Sequence, residues 1–138
     1  MVRVVMSNSP SQPGSRLPRL IATIGGVLFV VLGAWALIGP RSFFDALARF
    51  EPYNQHFLQD VGAFQIGLGA VLLLAALSRS GDALAVALIG VGIGSALHTA
   101  SHIVGTELGG NPTTDIPALA VLSVILLVAG WLRLRGAP

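Results

Sequence analysis

In His56-x3-Asp60 and His98-x3-His102, side chains able to move a proton or hold a metal stand four residues apart, and these pairs contain all three histidines of the chain. On a helix that spacing puts both members of a pair on one face. Brought together, the pairs would supply three imidazoles and one carboxylate, a ligand set that zinc, copper or non-haem iron accepts. The same groups could instead line a pocket for a small molecule or a quinone head group, with histidine donating or accepting the proton. A third outcome is structural: Asp60 accepts from His98 or His102 and ties two helices together.

Other chemistries are excluded. Thr99-Ala100-Ser101 between the paired histidines lacks the glutamate of a zincin motif, and no Glu-x-x-His accompanies it to build a di-iron centre. Ser95 and Ser101 are near the histidines, but with no G-x-S-x-G elbow or oxyanion turn beside them nucleophilic catalysis has little support. The absence of cysteine removes thiolate catalysis, iron–sulfur clusters and cysteine-ligated zinc.

The elements that must position these residues are membrane helices. With 54% hydrophobic and 10% charged residues and a mean hydropathy of +0.80, the chain lies far outside soluble composition, where about a quarter of residues are charged. The pI of about 10.5 comes from eight scattered arginines with no lysine, and without a basic run there is no nucleic-acid surface.

Hydropathy predicts an all-α fold: a four-helix transmembrane bundle with spans at about 20–38, 54–77, 83–104 and 116–132. Residues 1–19 read as a flexible basic segment, and 20–135 as a single membrane domain. Between spans one and two, Ser42 to Phe50 carries Phe43, Leu47 and Phe50 on one stripe behind a Ser42-x-x-Asp45 capping box, as an amphipathic interfacial helix would. The polar turn Ser78 to Asp82 predicts spans two and three as antiparallel neighbours, and Gly105 to Pro117 reads as an exposed loop. Trp131 is placed to anchor span four at an interface.

Six arginines share a side with both termini and two lie opposite, so the positive-inside rule predicts a cell-membrane protein with cytoplasmic termini. The histidine-bearing helix ends then face outward. Counted inward from Val104, His102 and His98 lie about 3 and 9 Å deep at the usual helical rise.

Small residues let backbones approach inside lipid. Gly62 and Gly69 in span two, and Gly90 and Gly94 in span three, are the expected packing positions, the latter continuing into His98 and His102 as one i+4 stripe. Gln65 lies about 140° around the helix from Asp60, so it cannot share that face and is expected to hydrogen-bond across the Gly62/Gly69 surface. Glu107 and Asp115 read as solvated loop acids.

The glycine-rich first span ending in Gly39-Pro40, the run from Tyr53 to Gln65, and the third span closing with His98-x3-His102 resemble the small four-span bacterial membrane proteins of the DoxX-like group. The resemblance could cover residues 18 to 135. It implies a compact four-helix bundle and, for better-known relatives, association as a small subunit with quinone-linked redox proteins.

Taken together, the sequence points to a binding or accessory subunit rather than a catalyst, set in the lipid bilayer with other membrane subunits or further copies of itself. Its candidate ligand or polar-network residues are His56, Asp60, His98, His102 and Gln65. The alternatives are an oxidoreductase subunit using a transition metal, held by His56, Asp60, His98 and His102, or a quinone at the same cluster, and a purely structural subunit.

Overall fold

The computed structural model describes residues 16–136, and over that range the chain is a set of α-helices joined by short turns. Helix α1 covers Arg16–Ile38, α2 Pro40–Ala46, α3 Gln55–Leu77, α4 Gly81–Val104 and α5 Pro112–Arg135, with a 3-10 turn at Thr106–Leu108. Helices α1, α3, α4 and α5 are long and apolar enough to cross a membrane. At the usual rise each measures about 35 Å, against a hydrocarbon core of ~30 Å. The protein is a multi-pass helical membrane protein, with the short α2 between the first two spans as expected.

Helix starts differ from the hydropathy boundaries because capping residues, not apolar runs, set them. Asn54 accepts from the Phe57 amide at 3.0 Å to start α3, and Ser80 accepts from Ala83 at 3.2 Å to start α4 at Gly81. Helix α5 begins at Pro112, whose ring presets the first helical φ. Residues Arg16–Arg19, assigned by composition to a loose segment, form the first turn of α1, where Pro18 removes no intrahelical bond; the rest of that segment lies outside the described residues.

The expected capping box at Ser42 does not form. Pro40 takes the first helical position behind Gly39. The Ser42 hydroxyl donates to the Gly39 carbonyl and accepts from Trp35 Nε1, both at 2.9 Å, while Asp45 pairs with Arg41 at 3.1 Å. Because α2 ends at Ala46, it buries Phe43 and Phe44, and Leu47 stays exposed.

The spans form two antiparallel hairpin-like pairs, α1 with α3 and α4 with α5, which are the extensive helix contacts; α3 and α4, though joined by a tight turn, touch each other much less. In the first pair, backbones approach until no side chain fits. A methyl group added at Gly62 would lie 2.6 Å from the Gly33 carbonyl oxygen, and one at Gly69 would lie 2.7 Å from that of Gly26. The Gly62/Gly69 expectation therefore holds.

The Gly90/Gly94 expectation does not: a Cβ at either meets nothing within 4 Å. Gly92 is the packing glycine, closed against Leu127 at 2.9 Å, and Gly130 answers it against Ile89 at 2.6 Å. Two residues are about 200° apart on a helix, so α4 packs with the face opposite to the one its glycine stripe suggests. Buried Thr99 and Ser123 hydroxyls lie 3.3 Å apart across the same contact.

The main apolar core, Ala22, Leu72, Ala75, Leu84, Ala87, Leu88, Val91, Leu126 and Ala129, draws on all four spans but lies at the arginine end. There Arg19 donates at 2.6 Å to both the Ala76 and Ser78 carbonyls, satisfying the C-terminal turn of α3. At the histidine end a second cluster, Ala36, Phe43, Phe44 and Leu58, draws only on α1, α2 and α3. The two pairs are thus knitted together at one end and part at the other.

Candidate functional site: a cavity between the parted helix pairs

Where the pairs separate, they enclose a cavity of about 540 Å³ reaching from α2 to His98 and His102 on α4 and Asp115 and Leu119 on α5. Such a volume lies within the ~300–1,000 Å³ of small-molecule sites. A second space of about 260 Å³ continues toward the membrane centre. The two share Leu32, Val61, Gln65, His98 and Leu119, so they form one channel with a polar and an apolar end.

His98 and His102 are brought together as the spacing required: their Nε2 atoms are 3.1 Å apart and the rings 4.8 Å between centroids. At that separation one nitrogen carries the proton and the other accepts it. Ser101 turns away, donating to the His98 carbonyl at 2.7 Å, as a serine in a span commonly does.

His56 and Asp60 form a separate pair, 3.6 Å apart, with side chains 86% and 56% exposed. Among the described residues no three His, Asp or Glu side chains come together in a group able to hold a metal. The four-ligand set is divided because the side of α3 turned to the cavity runs through Asn54, Leu58, Val61 and Gln65, with Phe57 on its exposed rim. His56 is then about 200° from Leu58, and Asp60 about 100° from Val61. The tie from Asp60 to the paired histidines is absent for the same reason.

Gln65 does not make its expected interhelical hydrogen bond. Its Cβ lies where a Gly33 side chain would begin, 2.9 Å away. That contact directs the amide into the channel, where Oε1 is buried with no partner. A buried acceptor without a donor costs about 1–3 kcal/mol.

Asp115, expected as a loop acid, lines the cavity. Its Oδ2 accepts from the Asn111 amide at 2.7 Å, holding the carboxylate over the first turn of α5. Asn111-Pro112-x-x-Asp115 carries the signal for this: a proline helix start with an acid in the first turn.

Phe50, expected on the apolar stripe of the interfacial helix, lies beyond the end of α2 and borders the outer end of the cavity. It pairs with Gly109 as an isolated antiparallel bridge, and the Gly110 amide donates to the Arg49 carbonyl at 3.0 Å. Its ring meets His102 edge-on, centroids 5.4 Å apart. Gly109 and Gly110 have φ of 131° and 77°, and side chains there would meet Arg49 and Phe50. The sequence signal was the Gly-Gly step itself.

The result is an apolar channel with a proton-sharing imidazole pair, an unpartnered amide oxygen and a carboxylate, suited to orienting a molecule that is mostly apolar with a hydrogen-bonding head. Comparison of the chain with family models, with curated proteins and with solved structures finds no significant match.

Proposed function

We propose that this chain is a small membrane-embedded binding subunit whose cavity at the histidine end takes a small, largely apolar molecule with a polar head. The observation that carries this is the unpartnered Gln65 Oε1 inside a cavity bordered by His98 and His102. Burial of such an acceptor is offset when a ligand supplies the donor. The resemblance to DoxX-like small subunits and the arginine bias agree with an accessory role and an outward-facing cavity.

A second reading is favoured by the imidazole pair: with one proton between two nitrogens 3.1 Å apart, the site could donate and take back a proton from a quinone-type head within a redox assembly. Organic extraction of the purified protein yielding a stoichiometric quinone is the outcome that reading requires.

The test of the main reading uses 1-naphthol, an aromatic alcohol small enough for the upper cavity, titrated into detergent-solubilised protein and followed by saturation-transfer NMR. Saturable binding is expected, weakened about 2–10-fold by His98→Ala or His102→Ala, the range of one lost hydrogen bond. Non-saturable binding, or binding indifferent to both substitutions, refutes it.

A further inference from the structure

The channel has two ends of different character. The upper end holds His98, His102, Asn54 and Asp115; the lower extension is walled by Leu28, Phe29, Leu68 and Leu122 among others and adds no further titratable group. A ligand filling only the upper end would leave that lower groove unused.

The outer end is narrowed. Phe50, held by its bridge to Gly109 and by the Gly110 to Arg49 hydrogen bond, lies across the outer end against His102. Beneath it, Phe43 and Phe44 of α2 are buried. The flank between α3 and α4 has no such cover. Phe64 is 77% and Leu68 41% exposed on the α3 rim, and on the α4 rim a Cβ at Gly94 would meet nothing within 4 Å. That flank faces the hydrocarbon of the bilayer, because both helices are membrane spans.

Building on the binding reading above, we infer that the ligand is a single-chain lipid alcohol that enters sideways from the bilayer between α3 and α4. Its hydroxyl meets Gln65 and the His98/His102 pair, and its chain lies in the lower groove. Gln65 decides the head chemistry. Its free Oε1 is an acceptor, so the ligand must bring a donor, which a hydroxyl has and a simple ester or oxidised quinone carbonyl lacks. The same hydroxyl oxygen can accept from whichever imidazole presents its N–H. The lower space, about 260 Å³ and continuous with the head site through Leu32, Val61 and Leu119, fits one chain rather than the two of a phospholipid. Membrane-dissolved ligands of this kind reach their site at a high local concentration, which explains why a lateral opening would serve better than an aqueous mouth.

The experiment uses the full chain reconstituted in phosphatidylcholine nanodiscs with hexadecanol bearing a chain diazirine, irradiated and mapped by peptide mass spectrometry. Labels are expected on α3 and α5 peptides that line the lower groove. Unlabelled hexadecanol should reduce labelling at least fivefold, and hexadecane should not. Gly94→Phe, whose Cβ meets nothing within 4 Å and whose ring would occupy the opening, and Gln65→Leu should each reduce groove labelling at least threefold, with helix content unchanged by circular dichroism. Gly90→Ala, on the same open stripe of α4 but outside the channel lining, serves as the control and should label as the parent does. Labelling that hexadecane competes equally, or that neither substitution changes, means bilayer lipid touching the surface and overturns the inference. Saturable 1-naphthol binding without hexadecanol labelling also overturns it while leaving the cavity's binding role standing; failure of both probes removes both.

Discussion

His98 and His102 share a hydrogen bond between their Nε2 atoms at 3.1 Å, one turn apart on α4, in a cavity that His56 and Asp60 do not border. Chemistry at the histidine end therefore belongs to α4 and its surroundings rather than to both i+4 pairs.

From this division comes a contrast between the two pairs. Replacing His56 and Asp60 together by alanine should leave 1-naphthol affinity within about twofold, since exposed pairs contribute ~0–1 kcal/mol to stability and these line no cavity. His98→Ala should lower the affinity about 2–10-fold at nearly unchanged thermal stability. Titrations of both variants beside melting curves check this, and equal losses at the two sites would restore a shared cluster.

Close approach of α1 and α3 predicts that Gly62→Leu, which drives a side chain into the Gly33 carbonyl, destabilises the protein by about 3 kcal/mol or more. Gly90→Leu, into open space, should stay within about 0.5 kcal/mol, the usual range for a surface change. Denaturant unfolding in mixed micelles compares them, and similar losses at both positions would contradict the helix pairing described.

The roof over the cavity depends on backbone angles open to glycine. Gly110→Ala should cost about 1–2 kcal/mol for the left-handed conformation alone. It should also free the Arg49 carbonyl from its partner. Hydrogen–deuterium exchange is expected to quicken at the Gly110 amide while the amides of Gly26 to Val30 stay protected; unaltered exchange at Gly110 would show that this strap does not hold Phe50.

Thr99 and Ser123 offer a measurable link within the second helix pair. Each hydroxyl has one proton and a carbonyl acceptor on its own helix, Ser95 for Thr99 at 2.9 Å and Leu119 for Ser123 at 2.7 Å, so a bond between the two competes with one of these. A double-mutant cycle with Thr99→Val and Ser123→Ala should return a coupling of about 0.5–1 kcal/mol. A coupling of zero would mean that the two hydroxyls merely lie side by side.

The spans and the short helix before α3 were legible because long uncharged runs leave few alternatives in a chain with six acids and eight arginines. Which helix packs on which was not, because Gly90, Gly92 and Gly94 all satisfy a small-residue pattern while pointing to two opposite faces. The i+4 rule brought His98 to His102 correctly, being a property of one helix. Bringing them to Asp60 required the rotation of α3, which is fixed by the approach of its Gly62 to Gly33 of α1 and leaves Asp60, two residues or about 200° away, on the opposite face. Asp115 and Phe50 were hidden for a related reason: both reach the cavity through turns whose course depends on Gly109, Gly110 and the Pro112 helix start.

Two tryptophans mark opposite levels of the bundle. Trp35 near the histidine end donates to Ser42 and meets Phe43 edge-on at 5.5 Å, whereas Trp131 near the arginine end lies under the Arg135 guanidinium at 4.1 Å. Each ring is held by a neighbour on its own element or the next, so neither slides freely along the membrane normal. A bilayer thicker or thinner than this fixed interval will be met by tilting the whole body or deforming nearby lipid, making acyl-chain length a control on how the flank between α3 and α4 is presented.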